Sequence, residues 1–181
     1  MSPRTRDFAL AGLVIVIDQA TKAWASTHYQ LPVPVIPGFL RLALSHNTGA
    51  LFGLFGGLGD PWRSLLLTLL PLLALLGIVY LIWQAEPAET WGRIALALIL
   101  GGAIGNVVDR VIYGHVIDFI DVYWSSPPLS DWLISTFGTN RWPTFNVADM
   151  GLTCGAALLL YEMLFHRPGA EKKDDIAPVS D

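Results

Sequence analysis

The sequence has few charged residues, one cysteine and no excess of basic charge. Charged residues make up 14% of the chain, against about 25% in a soluble globular domain, which argues against a soluble enzyme. With 11 basic and 15 acidic residues, the chain has no basic stripe to neutralise phosphates, so we expect no nucleic-acid partner. The single cysteine, Cys154, excludes an intrachain disulfide and a thiolate zinc cluster.

Hydrophobic residues are abundant instead, at 53% of the 181 residues, and the mean hydropathy is +0.51. They gather into runs that reach the roughly 20 residues a helix needs to cross a bilayer. The sequence therefore predicts an α-helical integral membrane protein with four transmembrane helices, at about residues 8–25, 64–84, 91–108 and 147–165.

The positions of the basic residues predict the orientation of these helices. Arg4 and Arg6 precede the first helix, and Arg167, Lys172 and Lys173 follow the last one. Since basic residues favour the cytoplasmic side, we expect both termini in the cytoplasm. Residues 1–167 then form a single membrane-embedded domain, with outer segments at about 26–63 and 109–145. The polar residues 168–181 are typical of a flexible cytoplasmic tail.

The two outer segments contain signals for small surface elements. In the first, short Val, Ile and Leu runs interrupted by Pro and Gly predict two or more strands and a small sheet. The apolar, Gly-rich stretch Leu51–Leu58 follows, and we expect it either to lie in the membrane interface or to approach a substrate. In the second segment, the sequence DWLISTF after Pro127-Pro128 predicts a short interfacial helix.

Polar residues near membrane depth are the most informative ones here, because each costs a few kcal/mol unless it is paired or functional. In this chain they cluster toward one end of the predicted helices, which is the outer end in the four-helix topology. The set comprises Asp18, Lys22, Asn106, Asp109, Arg110, Asp118, Asn146 and Asp149.

Two of the carboxylates, Asp118 and Asp149, are embedded in apolar sequence. If two such carboxyl groups meet, they share one proton, and one acts as general base on a water while the other acts as general acid. This arrangement hydrolyses peptides without a metal. The alternative is that each Asp caps a helix or pairs with an arginine. The four histidines are scattered and no His-Glu-x-x-His occurs, so we expect no metal and no cofactor.

Three amides and one arginine are candidates for supporting roles. Asn47, Asn106 and Asn146 either hydrogen-bond a substrate backbone or orient the acids, although Asn47 near a glycine also fits a turn. Arg110 either binds substrate carbonyls or pairs with Asp109 or Asp18.

Five segments in order resemble the motif set of the bacterial lipoprotein signal peptidase family, also called signal peptidase II. The resemblance covers about residues 8–165. The segments are Asp18-Gln-Ala-Thr-Lys22, Asn47-Thr-Gly-Ala-Leu-Phe52, Gly105-Asn-Val-Val-Asp-Arg110, Val116-Ile-Asp-Phe119 and Phe145-Asn-Val-Ala-Asp149.

The resemblance implies an intramembrane aspartyl endopeptidase of the bacterial inner membrane, with its active site near the outer face. Such an enzyme cleaves diacylglyceryl-modified prolipoproteins on the N-terminal side of the lipidated cysteine. Its fold adds a small extracytoplasmic antiparallel β-cradle and a short surface helix to four transmembrane helices. The expected partners are lipid-modified prolipoproteins and membrane lipids, and we expect a monomer.

The motif positions also imply a role for each candidate residue. Asp118 and Asp149 correspond to the catalytic pair. The substrate-binding or pair-supporting residues are Asn47, Asn106, Arg110 and Asn146, and the residues that maintain the site's architecture are Asp18, Lys22 and Asp109.

One segment departs from the family pattern, and two other classes of function remain open. Residues 125–141 form a longer connection than the family usually has, which puts the local loop geometry in doubt but not the Asp pair. A transporter would need acids near helix centres and two related halves. A non-catalytic scaffold would tolerate Asp118→Asn and Asp149→Asn, which the enzyme would not.

Overall fold

The computed structural model describes residues 1–48, 60–86 and 90–165. Within these residues, four long helices are joined by connections that contain three short strands and one short helix. In chain order they are α1 (Pro3–His28), β1 (Val33–Ile36), β2 (Leu40–Asn47), α2 (Asp60–Gln84), α3 (Thr90–Tyr113), β3 (Val116–Val122), α4 (Pro127–Phe137) and α5 (Val147–Phe165).

Three of the four predicted transmembrane helices are confirmed as candidate membrane spans. By length and composition, α1, α3 and α5 are long and apolar enough to cross a membrane. The remaining predicted span lies in α2, a helix of 25 residues whose described apolar part runs from Leu72 to Gln84. The protein is therefore mostly helical and membrane-embedded.

Two of the helices are longer than the sequence predicts. α1 begins at Pro3, because the side chain of Ser2 accepts a hydrogen bond from the Thr5 N–H and caps the helix. α3 continues beyond residue 108 and is followed by Gly114, whose φ of +75° belongs to the left-handed region. Polar residues that were expected at helix ends consequently lie within continuous helix.

The small sheet predicted from the first outer segment is confirmed, and it contains a strand that was not predicted. β1 and β2 pair antiparallel, and β2 pairs antiparallel with β3. β3 carries Asp118, whose Cα partner on β2 is Ser45. The predicted short helix in the second outer segment is α4. Leu51–Leu58 and the tail at 168–181 lie outside the described residues.

The central helix α3 packs against α1, α2 and α5. Glycines allow the close approach to α5: a Cβ on Gly102 would collide with the backbone oxygen of Ala148, and one on Gly155 would lie 2.7 Å from the backbone oxygen of Ala95. Small residues at such crossings are typical of helices packed within membranes. The start of α5 is thereby fixed against the second half of α3.

A buried ion pair joins α1 and α3 near their first turns. The Arg93 guanidinium donates to the carboxylate of Asp7, and its Nη1 donates to the carbonyl oxygen of Ala85 at 2.8 Å. Arg93 lies 13 residues before Asn106 on α3, which corresponds to about 20 Å along a helix. The two ends of the bundle therefore each contain buried charge.

Candidate active site

The candidate site lies where β3 meets the first turn of α5. Asp118 on β3 is 1% exposed, and Asp149 in α5 is half-buried. The side chain of Asn146 contacts both residues. The structure therefore brings the two predicted acids to one place, although they are 31 residues apart in sequence.

Asn146 caps α5 and connects the two carboxylates. Its Oδ1 accepts from the backbone N–H of Asp149 at 2.9 Å, and its own N–H donates to Asp149 Oδ2 at 3.2 Å. This reciprocal pattern is a capping box. Its Nδ2 donates to Asp118 Oδ1 at 2.7 Å. Asn146 thus hydrogen-bonds both carboxylates, that of Asp118 through its side chain and that of Asp149 through its backbone N–H. The helix-capping alternative also applies to Asp149.

Asn106 on α3 holds the second oxygen of Asp149. Its Nδ2 donates to Asp149 Oδ1 at 2.8 Å, while its Oδ1 accepts from Asn146 Nδ2 and from Lys22 Nζ, both at 3.1 Å. Both oxygens of the Asp149 carboxylate are therefore hydrogen-bonded, which leaves the group little rotational freedom.

Behind the two asparagines lies a fully buried cluster around Lys22. Its Nζ contacts Asp18 Oδ2 at 2.8 Å and Asp109 Oδ2 at 2.9 Å. The other oxygen of Asp18 accepts from the Ala148 N–H at 2.9 Å, and Asp109 Oδ2 accepts from the Ile117 N–H at 3.0 Å. Each of these carboxylates therefore holds the residue that precedes one of the two candidate catalytic acids.

Gln19 belongs to this cluster, although nothing in the sequence alone assigns it a role. Its Nε2 lies 3.0 Å from Asp109 Oδ1, 3.2 Å from Asp18 Oδ2 and 3.2 Å from the carbonyl oxygen of Gly105. The signal was present, since Gln19 lies between Asp18 and Lys22 in the first motif. Its contacts to α3 become visible only in the folded chain.

Arg110 and Asn47 lie on the more open side of the acids. Arg110 is half-buried; its Nη1 approaches the carbonyl oxygen of Asn106 at 3.4 Å, and its charge interacts with Asp149 and Asp118. Among the described residues, the ion pairs of Asp18 and Asp109 are with Lys22, and the charge of Arg110 also interacts with that of Asp109, one of its two predicted partners.

Asn47 is an exposed residue at the end of β2, and its side chain hydrogen-bonds Asp118. It therefore contacts a candidate acid directly, which agrees with the prediction that it orients the acids. The glycine that suggested a turn there lies outside the described residues.

The pKa of Asp118 is raised to about 6, mainly by burial and additionally by the neighbouring charge of Asp149. Hydrogen bonds from Asn47 and Asn146 and the charge of Lys22 oppose this pKa shift. A carboxyl group with such a pKa keeps its proton up to a pH about two units above that at which an ordinary aspartate loses it. Asp118 can therefore hold a proton beside the Asp149 carboxyl group in mildly acidic solution.

A metal site would require a different arrangement of ligands. Within residues 1–48, 60–86 and 90–165, no group of three or more His, Cys, Asp or Glu side chains is placed to hold a metal ion. The expectation of metal-independent chemistry stays a prediction.

Comparison with known proteins gives consistent matches over most of the chain. The family described as Signal peptidase (SPase) II matches residues 10–165. A lipoprotein signal peptidase of Hydrogenovibrio crunogenus is 39% identical over 168 residues, covering 91% of this chain and 88% of the relative. One of Pseudomonas putida is 40% identical over 157 residues, covering 85% and 84%.

Solved structures agree with this fold. One bacterial membrane enzyme superposes with a TM-score of 0.73 at 27% identity, covering 94% of each chain. Another gives a TM-score of 0.70 at 28% identity, covering 90% of this chain and 95% of its own. With family and fold in agreement, the chain belongs to the signal peptidase II family and is a membrane-embedded protease.

Proposed function

We propose that this protein cleaves diacylglyceryl-modified prolipoproteins on the N-terminal side of the lipidated cysteine, with Asp118 and Asp149 as the catalytic acids. Membership of the signal peptidase II family supports cleavage of lipoprotein signal peptides, and the relatives named above are lipoprotein signal peptidases. One observation carries the assignment of the acids: Asn146 hydrogen-bonds both carboxylates where β3 meets α5, that of Asp118 through its side-chain amide and that of Asp149 through its backbone N–H.

The raised pKa of Asp118 favours it as the residue that holds the shared proton. Asp149, which is half-buried, then acts as general base on a water molecule. The water oxygen attacks the scissile carbonyl carbon while Asp118 donates a hydrogen bond to the carbonyl oxygen. As the C–N bond breaks, a proton passes to the leaving nitrogen. The signal peptide receives a new carboxyl terminus, and the lipidated cysteine a free amino group.

The surrounding residues have positioning or binding roles in this mechanism. Asn106 and Asn146 fix the directions of the carboxylate oxygens, and Lys22 with Asp18 and Asp109 fixes the elements that carry them. Arg110 and Asn47 lie toward the open side, where they would contact the substrate backbone. Arginine suits this task because its guanidinium presents several donors in one plane.

The membrane topology in this proposal has four crossings, with α2 as the fourth. Both termini lie in the cytoplasm, and the sheet, α4 and the active site lie at the outer face of the inner membrane. The scissile bond then meets the acids where a signal helix leaves the hydrocarbon, at a depth that water reaches. The chain acts as a monomer, with residues 1–167 as one domain and 168–181 as a flexible tail.

The test is cleavage of a diacylglyceryl-modified prolipoprotein by purified protein, with a chelator present. Asp118→Asn and Asp149→Asn should each lower turnover by about 10²–10⁴-fold, because each removes one partner in proton transfer. Asp131→Asn, at an exposed acid on α4, is the matched control and should cleave normally. Full activity in either catalytic variant, or loss of activity with the chelator, would refute the two-acid mechanism and favour a scaffold or a metal enzyme.

A further inference from the structure

Two arginines share one buried carboxylate on the sheet. Arg41 Nε donates to Asp121 Oδ2 at 2.5 Å, and Arg141 Nη1 donates to the same oxygen at 2.7 Å. Arg41 and Asp121 are cross-strand partners on β2 and β3. Both guanidinium groups also lie over the ring of Tyr123, at 5.3 and 5.6 Å from its centroid. Two cations against one anion leave the group with a net positive charge.

A cavity of about 440 Å³ opens beside this pair of arginines. Its lining includes Arg41, Arg141 and Asp121 together with Thr139, Trp142 and Thr144. The side chain of Arg141 is 44% exposed, so its charge is accessible from solvent. Guanidinium and hydroxyl groups around an open cavity favour an anion with several oxygens, such as a phosphate.

The helix α4 ends at Phe137, two residues before Thr139 of the cavity lining, and it exposes large apolar side chains. Trp132 is 54% exposed and Phe137 is 64% exposed, and Leu129 and Ile134 are exposed as well. Ser130 is the one buried residue of this helix. Several large apolar side chains exposed together on one short helix indicate a surface that a partner or a membrane covers.

The bilayer is the covering surface that the topology supplies. α3 ends at Tyr113 and α5 begins at Val147, so the chain between them stays at the membrane face where both spans end. Helices with exposed Trp, Phe and Leu are typical of the membrane interface. Arginines at this level meet the phosphate groups of the lipids.

We propose that this cavity binds the phosphate group of a phospholipid from the bilayer that α3 and α5 cross, with the acyl chains beside the exposed apolar side chains of α4. A carboxylate of a bound peptide would use the arginines but not α4. The diacylglyceryl group of the proposed substrate has no phosphate, so the phospholipid in this cavity is a separate molecule from the lipid of the substrate. The inference does not depend on the proposed cleavage mechanism.

The test is native mass spectrometry of the purified full chain with two probes, a phosphatidylglycerol and a diacylglycerol with the same acyl chains. Replacing both Arg41 and Arg141 by Gln should lower the retention of phosphatidylglycerol about tenfold and leave that of diacylglycerol unchanged. Arg4→Gln is the matched control, since Arg4 also lies over an aromatic ring, at 4.8 Å from the centroid of Trp83. An equal loss in the control would contradict the site.

Two further variants separate lipid binding from folding. Asp121→Asn frees both guanidinium groups and should raise phosphatidylglycerol retention, which a purely structural arginine pair would not do. The triple variant Arg41→Gln, Asp121→Asn, Arg141→Gln leaves no unpaired buried charge and should still retain little phosphatidylglycerol. If inorganic phosphate or an acidic peptide competes fully with the lipid, or if no variant changes retention, the proposal is overturned.

Discussion

The two ends of the helix bundle differ in how their buried charges are balanced. At one end, Asp7 and Arg93 form a single neutral ion pair between α1 and α3. At the other end, two cations lie among four carboxylates: Lys22 and Arg110 with Asp18, Asp109, Asp118 and Asp149. A balanced pair fixes helices relative to each other. A surplus of carboxylates lets one of them keep a proton, which is what acid–base chemistry requires.

The largest effect that distinguishes the two ends should come from removing their cations one at a time. Lys22→Met leaves Asp18 and Asp109 buried without a counter-charge, and Arg93→Met does the same to Asp7. Breaking such buried pairs costs about 3–5 kcal/mol each, so both variants should unfold at lower temperature in detergent. Only Lys22→Met should also lower turnover in the fraction that remains folded. Normal turnover per folded molecule in Lys22→Met would show that its cluster is merely structural.

A smaller effect should come from the amide between the two acids. Asn146→Ala removes the side-chain helix cap, at a cost of about 1 kcal/mol, together with the hydrogen bond to Asp118 Oδ1. The Asp118 carboxylate then rotates more freely, whereas Asp149 keeps its hydrogen bonds from Asn106 and from the backbone N–H of residue 146. Misplacement of catalytic groups by about 1 Å lowers rates by about 10²-fold, and we expect the loss in kcat rather than in KM.

Asn140→Ala is the control for this variant. Asn140 donates to the Trp124 carbonyl at 2.8 Å and approaches Ser130 Oγ at 3.2 Å, so it has hydrogen bonds but lies beside α4. It should keep the wild-type kcat. Equal kcat values for the two variants would remove Asn146 from the mechanism.

The sequence predicts the acids and their supporting residues better than it predicts how they are held. Asp118 and Asp149 stand out because charged residues are rare in such apolar sequence. Lys22 and Asp18 are four residues apart on one helix face, so their pairing follows from helical spacing. The contact of Lys22 with Asp109 joins residues 87 positions apart, and only tertiary packing reveals it.

Other features could not be predicted from the sequence for similar reasons. Asp7 and Arg93 are 86 positions apart, and neither lies in a recognisable motif. β3 was missed because Val116–Val122 contains two aspartates and lacks the regular alternation of a strand with one exposed face. α4 was found because its aromatic residues follow a proline pair. The sequence did not indicate that Arg141, just after α4, meets Arg41 on β2.

The smallest predicted effect concerns stability and pH. The pKa of Asp118 in the folded protein, about 6, lies above its ordinary value of 3.8. The folded state therefore holds the proton more tightly, and stability present at low pH is lost as the pH rises through the folded pKa. Asp118→Asn removes this loss, on the order of 2 kcal/mol. The difference between the Tm of the variant and the Tm of the wild type should therefore become more positive as the pH rises from 4 to about 7. A constant difference would contradict the raised pKa.

The central claim, that Asp118 keeps a proton because it is buried and lies beside Asp149, is tested most directly by infrared titration of the protonated carboxyl groups. The account predicts a carboxyl C=O band that disappears as the pH rises through about 6. The band should be absent in Asp118→Asn, and it should titrate at lower pH in Asp149→Asn. A wild-type titration in the ordinary carboxyl range near 4, or a band that both variants leave unchanged, would contradict it.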